Sequence, residues 1–242
     1  MSTPAPPRPV ARYLEIAYPD GLPEVDTVVM QCSGRFRRRP LPWIPMRDTI
    51  SLRPGVDRVS DMTVVLGPLT VMEVLDAYVD GHGITRFLRT ADVGDEIDQG
   101  SLHPMLCEAL MFPSSWSRIA GLEWEPIDDR TARLLVPFRD GTEIATVGFD
   151  RATGFPSTYE VPRFKAKGAK VDWRIDMADW RPFGPATVPT RIVVTWADEP
   201  GPWLRMRIEQ VTTGEDIEEP LARARAAIAA ARGDRPSQTS VA

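Results

Sequence analysis

Groups that could do acid–base or nucleophilic chemistry are concentrated in one stretch, "DVGDEIDQGSLHPMLCEALMFPSSW" (92–116). It holds His103, Cys107 and Glu108, which include one of the two histidines and one of the two cysteines of the chain. On a helix, His103 and Cys107 would be i and i+4 neighbours, and a histidine in contact can activate a thiolate. No third group stands at a spacing that would orient such a pair. The dyad is therefore the minor alternative to a structural helix.

Carboxylates are the second kind of candidate. Glu108 lies on the helix flank opposite His103 and would act as a general acid or base if burial raised its pKa. Asp76 and Tyr78 share one face of a predicted strand with apolar residues, so Asp76 either faces water or is a polar group placed in a cavity. We name Glu108, Asp76, Tyr78 and His103 as candidate catalytic residues. A solvated flank remains the alternative for Glu108.

The acidic residues that precede this helix have a plainer interpretation. A run of four carboxylates with few apolar residues between them is typical of a solvated loop. We predict such a loop at Asp92, Asp95, Glu96 and Asp98.

The helix itself is predicted from its apolar period. At ~100° per residue, one face collects five apolar side chains: Leu102, Met105, Leu106, Ala109 and Leu110. Gly100 and Ser101 are plausible N-caps, Pro104 fits the first turn, and the helix should end before Pro113. These features predict a plug or lid helix over about 101–112.

Period-2 alternation governs most of the remaining chain and predicts twelve strands. They cover residues 25–33, 43–52, 58–66, 69–80, 84–90, 122–127, 132–138, 143–149, 156–164, 171–180, 188–196 and 203–211. "DGHG" (80–83) is a hairpin signal, because glycine supplies positive φ. The predicted fold is mainly β: one large curved antiparallel sheet or a partly closed β-barrel, with a plug or lid helix and terminal helices.

The predicted organisation is one domain with short extensions. Residues 1–9 are a Pro-rich disordered start, 10–212 form the β-cup, whose first residues 10–17 are a short helix, 213–232 contain an Ala-rich C-terminal helix, and 233–242 are a disordered tail. Neither a signal peptide nor an apolar run near the ~20 residues of a membrane span is expected. We therefore predict a cytoplasmic protein.

Composition excludes several classes of protein. The 242 residues carry a net charge of −5, which disfavours nucleic acid as a partner. The exception is the local cluster Arg35, Arg37, Arg38 and Arg39, interpreted as a solvated strand end with an anion site as the alternative. Two cysteines and two histidines make neither a disulfide framework nor a zinc signature. No dinucleotide, phosphate-loop or metalloprotease motif is present, so no cofactor and no metal are predicted.

The strand faces that alternate inward are rich in large apolar residues. Seven tryptophans and nine methionines suit an adaptable apolar cavity, although such residues ordinarily fill a core. We predict that a hydrophobic small molecule contacts Trp173, Met177, Trp196 and Met206 from the strands and Met105 from the helix.

Several stretches together resemble an uncharacterised bacterial family, frequent in actinobacteria and classed as a domain of unknown function. They are "ARYLEIAYPDGLPEV" (11–25), "GRF" (34–36), "DAYVDGHG" (76–83), "EIDQGSLHPMLCEALMFPSSW" (96–116), "LEWEPIDDRTARL" (122–134), "VGFD" and "TGFP" (147–156) and "VPTRIVVTW" (188–196). The resemblance implies a lipoprotein-carrier-like curved sheet around an apolar cavity, and it implies no particular reaction. Relatives have an acidic and a basic residue where this chain has Ser101 and Pro104, whereas Glu108 matches an acidic position. "RVSDM" (58–62) replaces an aromatic pattern.

Three functions follow from this reading. The first is a β-cup that binds a hydrophobic or amphipathic small molecule and acts as a cofactor-independent cyclase or hydrolase of specialised metabolism, by orientation and one or two buried acids. The alternative is a non-catalytic carrier of lipid-like ligands. The third is a partner-binding protein that docks through the helix at 216–232.

Overall fold

The computed structural model describes residues 5–37, 40, 42–66, 69–88 and 90–233. Three α-helices, α1 (Arg8–Ala17), α2 (Asp95–Ala109) and α3 (Glu218–Arg232), and a 3₁₀ helix (Pro113–Arg118) accompany the strands. The strands are β1 (Val28–Phe36), β2 (Ile44–Arg53), β3 (Asp57–Leu66), β4 (Leu69–Val79), β5 (His82–Phe87), β6 (Thr90–Asp92), β7 (Glu123–Asp128), β8 (Thr131–Phe138), β9 (Gly141–Phe149), β10 (Pro156–Phe164), β11 (Lys170–Phe183), β12 (Ala186–Trp196) and β13 (Leu204–Thr213).

All thirteen strands form one antiparallel sheet. Its order is β6-β5-β4-β3-β2-β1-β13-β12-β11-β10-β9-β8-β7, so two meanders are joined where β1 pairs with β13. Strands β6 and β7 stand at opposite ends of that order, and the sheet is not closed into a barrel. The predicted large curved antiparallel sheet with helices is confirmed, and each of the twelve predicted strands has a counterpart. The additional strand β6 is three exposed residues long, too short for a periodic signal.

The two faces of the sheet are covered by different helices. Helix α2 packs against β4, β5 and β10 on what we call the inner face, and α3 packs against β3, β4 and β5 on the outer face. The inner core joins α1 and α2 to both meanders, with Met30, Ile50 and Tyr159 among its fully buried side chains. A smaller outer core under α3 includes Leu75, Ile84 and Leu221. Position in this sheet therefore decides which residues can share a site.

Helix α2 begins at Asp95, six residues before the predicted start, and its N-cap is Gly94. The predicted loop is therefore wrong for Asp95, Glu96 and Asp98, which form the first turn, where the helix dipole favours negative charge. The Asp95 side chain is solvated as predicted, at 77% exposed, whereas Asp98 is fully buried. Pro104 accordingly lies inside the helix instead of in its first turn. Every residue from Ile97 to Ala109 is buried, because sheet or helix surrounds this segment.

Side chains from two other segments cap the C-terminal end of α2. Tyr13 and Tyr18 donate from their hydroxyls to the carbonyls of Leu110 (2.8 Å) and Met111 (3.0 Å). The Trp116 indole donates to the carbonyl of Ala109 at 2.9 Å. The last carbonyls of a helix lack partners within it, so these donors fix α2 at this end.

The chain ends differ modestly from prediction. Helix α1 begins at Arg8, inside the segment predicted to be disordered, and α3 begins at Glu218 after β13 has run to Thr213. Residues 1–4, Arg38, Arg39 and most of the predicted tail lie outside the described residues. Cys32 and Cys107 are free and buried. Among the described helices, none combines the length and apolarity needed to cross a bilayer.

Candidate functional site

A cluster of one guanidinium and three carboxylates, of which only Asp76 is partly exposed, lies between α2 and the inner face. Arg58 donates from Nε to both carboxylate oxygens of Glu108 (2.9 and 3.0 Å) and from Nη1 to Asp76 Oδ2 (3.0 Å). Asp48 accepts a hydrogen bond from Ser60 at 2.9 Å. The strand register brings these groups together, because Ser60 stands opposite Asp76 on β4 and opposite Ile50 on β2. We call Arg58, Asp48, Asp76 and Glu108 the Arg58 cluster.

The Arg58 cluster holds more negative than positive charge, in a place with little water. Burial raises the pKa of Glu108 to about 7, although Arg58 acts in the opposite direction. Burial likewise raises the pKa of Asp48 to about 6. Glu108 and Asp48 cannot both ionise cheaply in a low dielectric beside one guanidinium, so the pair retains a proton as the pH approaches neutral. The cluster can therefore accept and donate hydrogen bonds.

The predicted candidate Tyr78 is close to this cluster in the sheet. It pairs with Arg58 across β3 and β4 and belongs to the inner core. Burial is the main reason why its pKa rises to about 12, with a smaller contribution from Asp98. The structure therefore brings Glu108, Asp76 and Tyr78 into one neighbourhood, whereas His103 lies elsewhere.

His103 lies in a second polar network, between α2 and β9–β10. Its Nδ1 accepts from the Tyr159 hydroxyl at 2.9 Å, and its Nε2 donates to Glu143 at 3.1 Å. Gln99 donates to the same carboxylate at 2.8 Å and Lys170 at 2.9 Å. Burial lowers the pKa of His103, which favours the neutral ring at neutral pH. Burial opposes ionisation of Glu143, but hydrogen bonds from its three partners hold its pKa at about 2.

The histidine–cysteine dyad considered from the sequence is not formed. Both His103 ring nitrogens are engaged as described, and neither contacts Cys107. Burial also raises the pKa of the Cys107 thiol well above its usual value, which disfavours the thiolate.

Asp98 is a buried anchor that the sequence interpretation missed. It accepts hydrogen bonds from the Gly83 backbone N–H (2.6 Å), from Arg232 of α3 (2.7 Å) and from Arg139 in the β8–β9 turn. It thus ties α2 to the β4–β5 hairpin, to α3 and to β8–β9. The available signal was its position in a first turn next to an apolar helix, where an acid is favoured.

The inner face continues beyond the Arg58 cluster as an apolar surface. One row across neighbouring strands reads Met72, Val64, Met46, Gly34, Met206, Ile192 and Met177. Several side chains there are only half-buried. We call this surface the apolar end; its members are Phe36, Ile44, Met62, Met72, Val74, Leu204 and Met206, with Phe87, which is 38% exposed.

The structure buries four of the five predicted ligand contacts in the inner core and leaves the fifth partly exposed. Trp173, Met177, Trp196 and Met105 are 3–5% exposed and packed in the inner core. Met206 is half-buried and belongs to the apolar end.

Open clefts lie at the sheet edge and on the outer face. The edge cleft, of about 730 Å³, is bordered by Glu73, Phe87, Leu88 and Thr90. It adjoins the apolar end through Phe87. The second, of about 610 Å³, lies against β1, β2, β12 and β13. No group of three or more potential metal ligands converges within the described ranges.

Comparison with known proteins adds a family and a fold. The model of a family described as "Family of unknown function (DUF6544)" matches residues 3–211. No functionally curated protein matches the chain in sequence. The crystal structure of a LolA superfamily protein from Nitrosomonas europaea superposes with a TM-score of 0.52 at 10% identity, covering 87% of this chain and 94% of that one. This likeness shows a shared fold.

Two further crystal structures are similar at lower scores. One is a putative outer membrane lipoprotein-sorting protein domain from Vibrio parahaemolyticus, with a TM-score of 0.45, 11% identity and coverage of 89% of this chain and 98% of that one. The other is a DUF1329 family protein from Desulfovibrio piger, with a TM-score of 0.49, 9% identity and coverage of 88% and 95%.

Proposed function

This chain belongs to the DUF6544 family of unknown function, and we propose that it binds a hydrophobic or amphipathic small molecule. The ligand lies at the apolar end of the inner face and is not chemically transformed. The observation that carries the proposal is the half-buried apolar surface around Met62, Met72 and Met206. Methionine is flexible and polarisable, so such a surface adapts to an apolar guest. The shared fold with a LolA superfamily protein is consistent with this proposal.

The Arg58 cluster supports the amphipathic form of this proposal. Met62 stands opposite both Asp48 and Val74, so the cluster adjoins the apolar end directly. The Asp76 side chain is 23% exposed, more than its partner Arg58 at 8%. A ligand with an apolar body and a polar head would place the body on the methionines and the head at Asp76. The excess of carboxylates favours a head that donates hydrogen bonds or carries positive charge.

The polar groups that could do chemistry are already engaged, which favours a binder over a cyclase or hydrolase. Arg58 holds Glu108 with two hydrogen bonds and Asp76 with a third. His103 is fully buried between Tyr159 and Glu143. A general acid or base must reach the proton that it transfers. These side chains instead fix α2 on the sheet.

The test is binding of a neutral fluorescent apolar probe, N-phenyl-1-naphthylamine, by the full chain. We expect saturable fluorescence that falls when Met206 or Met72 is changed to Gln, because a polar amide then faces the guest. Ile144→Gln is the matched control: it changes an apolar residue on β9, away from the apolar end, that is 45% exposed.

Two outcomes would overturn the proposal: no saturable binding by the wild-type protein, or an equal loss in the Ile144→Gln control. Thermal unfolding of each variant separates loss of the surface from loss of the fold. Native mass spectrometry of freshly purified protein supplies a second readout, because a co-purified lipid-like molecule would be seen directly.

A further inference from the structure

Arginines form a two-dimensional array on the outer face of β2, β1, β13 and β12. Ser33 of β1 stands between Arg47 and Arg207, and Arg207 stands next to Arg191. In the adjacent row, Arg35 stands directly opposite Arg205. All five arginines are exposed. They line the cleft of about 610 Å³, and we call this surface the arginine face.

Most of the charge on the arginine face is not neutralised. Within the described part of the chain, no carboxylate lies at ion-pair distance from Arg35, Arg47, Arg205 or Arg207, whereas Arg191 pairs with Asp179 at 3.1 Å. A second bordering carboxylate, Glu209, accepts a hydrogen bond from Ser33.

The arginines of α3 are ion-paired, in contrast to most of those on the arginine face. Helix α3 covers the neighbouring part of the same face of the sheet. Arg223 pairs with Asp61 and Glu219, Arg225 with Asp80, and Arg232 with Asp98. The chain has a net charge of −5, yet these unpaired arginines in adjacent strands create a local positive potential and repel one another. An anionic partner that covers the arginine face would reduce this repulsion.

Apolar and aromatic side chains lie among these arginines. The Arg37 and Arg205 guanidinium groups lie over the Trp43 ring, 4.7 and 5.0 Å from its centroid. Val65 and Val193 are half-buried members of the same cleft. Tryptophan with arginine is the combination that suits the boundary between lipid headgroups and acyl chains.

We propose that the arginine face docks this protein onto an anionic lipid bilayer, with the guanidinium groups on lipid phosphates and Trp43 at the headgroup level. The charge on this face is complementary to such a bilayer and opposite to that of the chain as a whole. A nucleic acid would use the arginines but not the half-buried valines. This surface is on the opposite side of the sheet from the apolar end, so the proposal stands independently of the proposed function.

The test is flotation of the full chain with lipid vesicles. We expect the protein to float with phosphatidylcholine vesicles that contain phosphatidylglycerol, and not with pure phosphatidylcholine. Binding should weaken as salt rises from about 50 to about 500 mM, because salt screens exposed charges. Each arginine near an anionic surface contributes about fivefold in affinity, so Arg47→Glu with Arg207→Glu should weaken binding by at least about 25-fold. Trp43→Ala should also weaken it.

The matched control is Arg86→Glu with Arg181→Glu, which reverses two exposed arginines outside the arginine face. We expect this control to retain vesicle binding, and circular dichroism to show all variants folded. The proposal fails if wild-type protein ignores anionic vesicles, or if the two double variants behave alike. It also fails if duplex DNA or polyglutamate binds as tightly as the vesicles at equal charge, since the face would then be a general polyanion site.

Discussion

Arg163 supplies the hydrogen bond that Pro104 removes from α2. In a regular helix the N–H of residue 104 would donate to the carbonyl of Gly100, but proline has no N–H. The Arg163 side chain reaches across from β10 and donates from Nε to that carbonyl at 2.5 Å. The same guanidinium lies over the Trp173 ring, 4.4 Å from its centroid. A proline inside the buried part of this helix is tolerated because a strand provides the donor.

Replacing Arg163 by Met should therefore cost more in the natural chain than in a Pro104→Ala background. We expect a loss of about 3 kcal/mol in the free energy of unfolding in the first case, and about 1 kcal/mol less in the second, where the helix N–H has been restored. Urea unfolding of the four proteins measures this. The contact between Arg163 and Trp173 is lost in both backgrounds, so its contribution cancels when the two losses are compared. Equal losses in both backgrounds would show that Arg163 acts by packing alone.

The Arg58 cluster should make the protein less stable as pH rises. The folded pKa of Glu108, about 7, is above its usual value of 4.5, so the folded chain binds more protons between those values. The stability that protonation of Glu108 contributes to the folded chain is fully present below pH 4.5 and is lost as the pH rises through about 7. Glu108→Gln removes the titration. The free energy of unfolding of the variant, measured relative to that of wild type, should rise by on the order of 2 kcal/mol when the pH is raised from about 5 to about 8. A pH-independent difference would contradict the assignment.

Glu143 should show the opposite dependence. Its folded pKa, about 2, is below the usual 4.5, so the stability that it contributes is present above 4.5 and is lost as pH falls toward 2. Glu143→Gln should therefore destabilise the protein at neutral pH by about 1.5–3 kcal/mol, as expected for lost charged hydrogen bonds. The penalty should shrink in acid. Denaturant titrations over this pH range measure it, and a penalty that grows in acid would refute the prediction.

Two aspartates in the first turn of α2 allow a matched comparison. Asp98 is fully buried and bound to Arg232 and Arg139, whereas the Asp95 side chain is 77% exposed and pairs with Arg139 at 3.0 Å. Asp98→Asn should cost about 1.5–3 kcal/mol, because a fully buried carboxylate loses its charge-assisted hydrogen bonds to Arg139 and Arg232. Asp95→Asn should cost less than about 1 kcal/mol. Thermal and urea unfolding of both variants test this, and similar losses would count against Asp98 as an anchor.

The strands and most of their ends could be predicted from the sequence. Strand β10 occupies the predicted residues, and the Asp80–Gly81 turn joins β4 to β5 as expected. Alternation of apolar residues and turn-forming residues are local signals, so one chain suffices to detect them. The start of α2 was missed because Asp95, Glu96 and Asp98 resemble a solvated loop in the sequence, and Asp98 is buried only by partners that the fold provides.

The candidate site was predicted only in part, because its contacts depend on strand register. Asp76 and Tyr78 were placed together on one strand face and Glu108 was named separately, but Arg58, which joins Glu108 to Asp76, was not recognised. His103 was recognised with the wrong partner, since Tyr159 and Glu143 are 56 and 40 residues away in the chain. No local pattern encodes such pairings.

Element type and the alternation of faces are determined by the sequence alone, because they depend on side chains a few residues apart. The pairing of β1 with β13, which brings Arg35 opposite Arg205 and Gly34 opposite Met206, is a property of the folded chain. It decides that Met206 joins Met46 and Met72 on one face while arginines from four strands meet on the other. The physical reason is that burial and charge are set by neighbours in space, and those neighbours exist only once the sheet has formed.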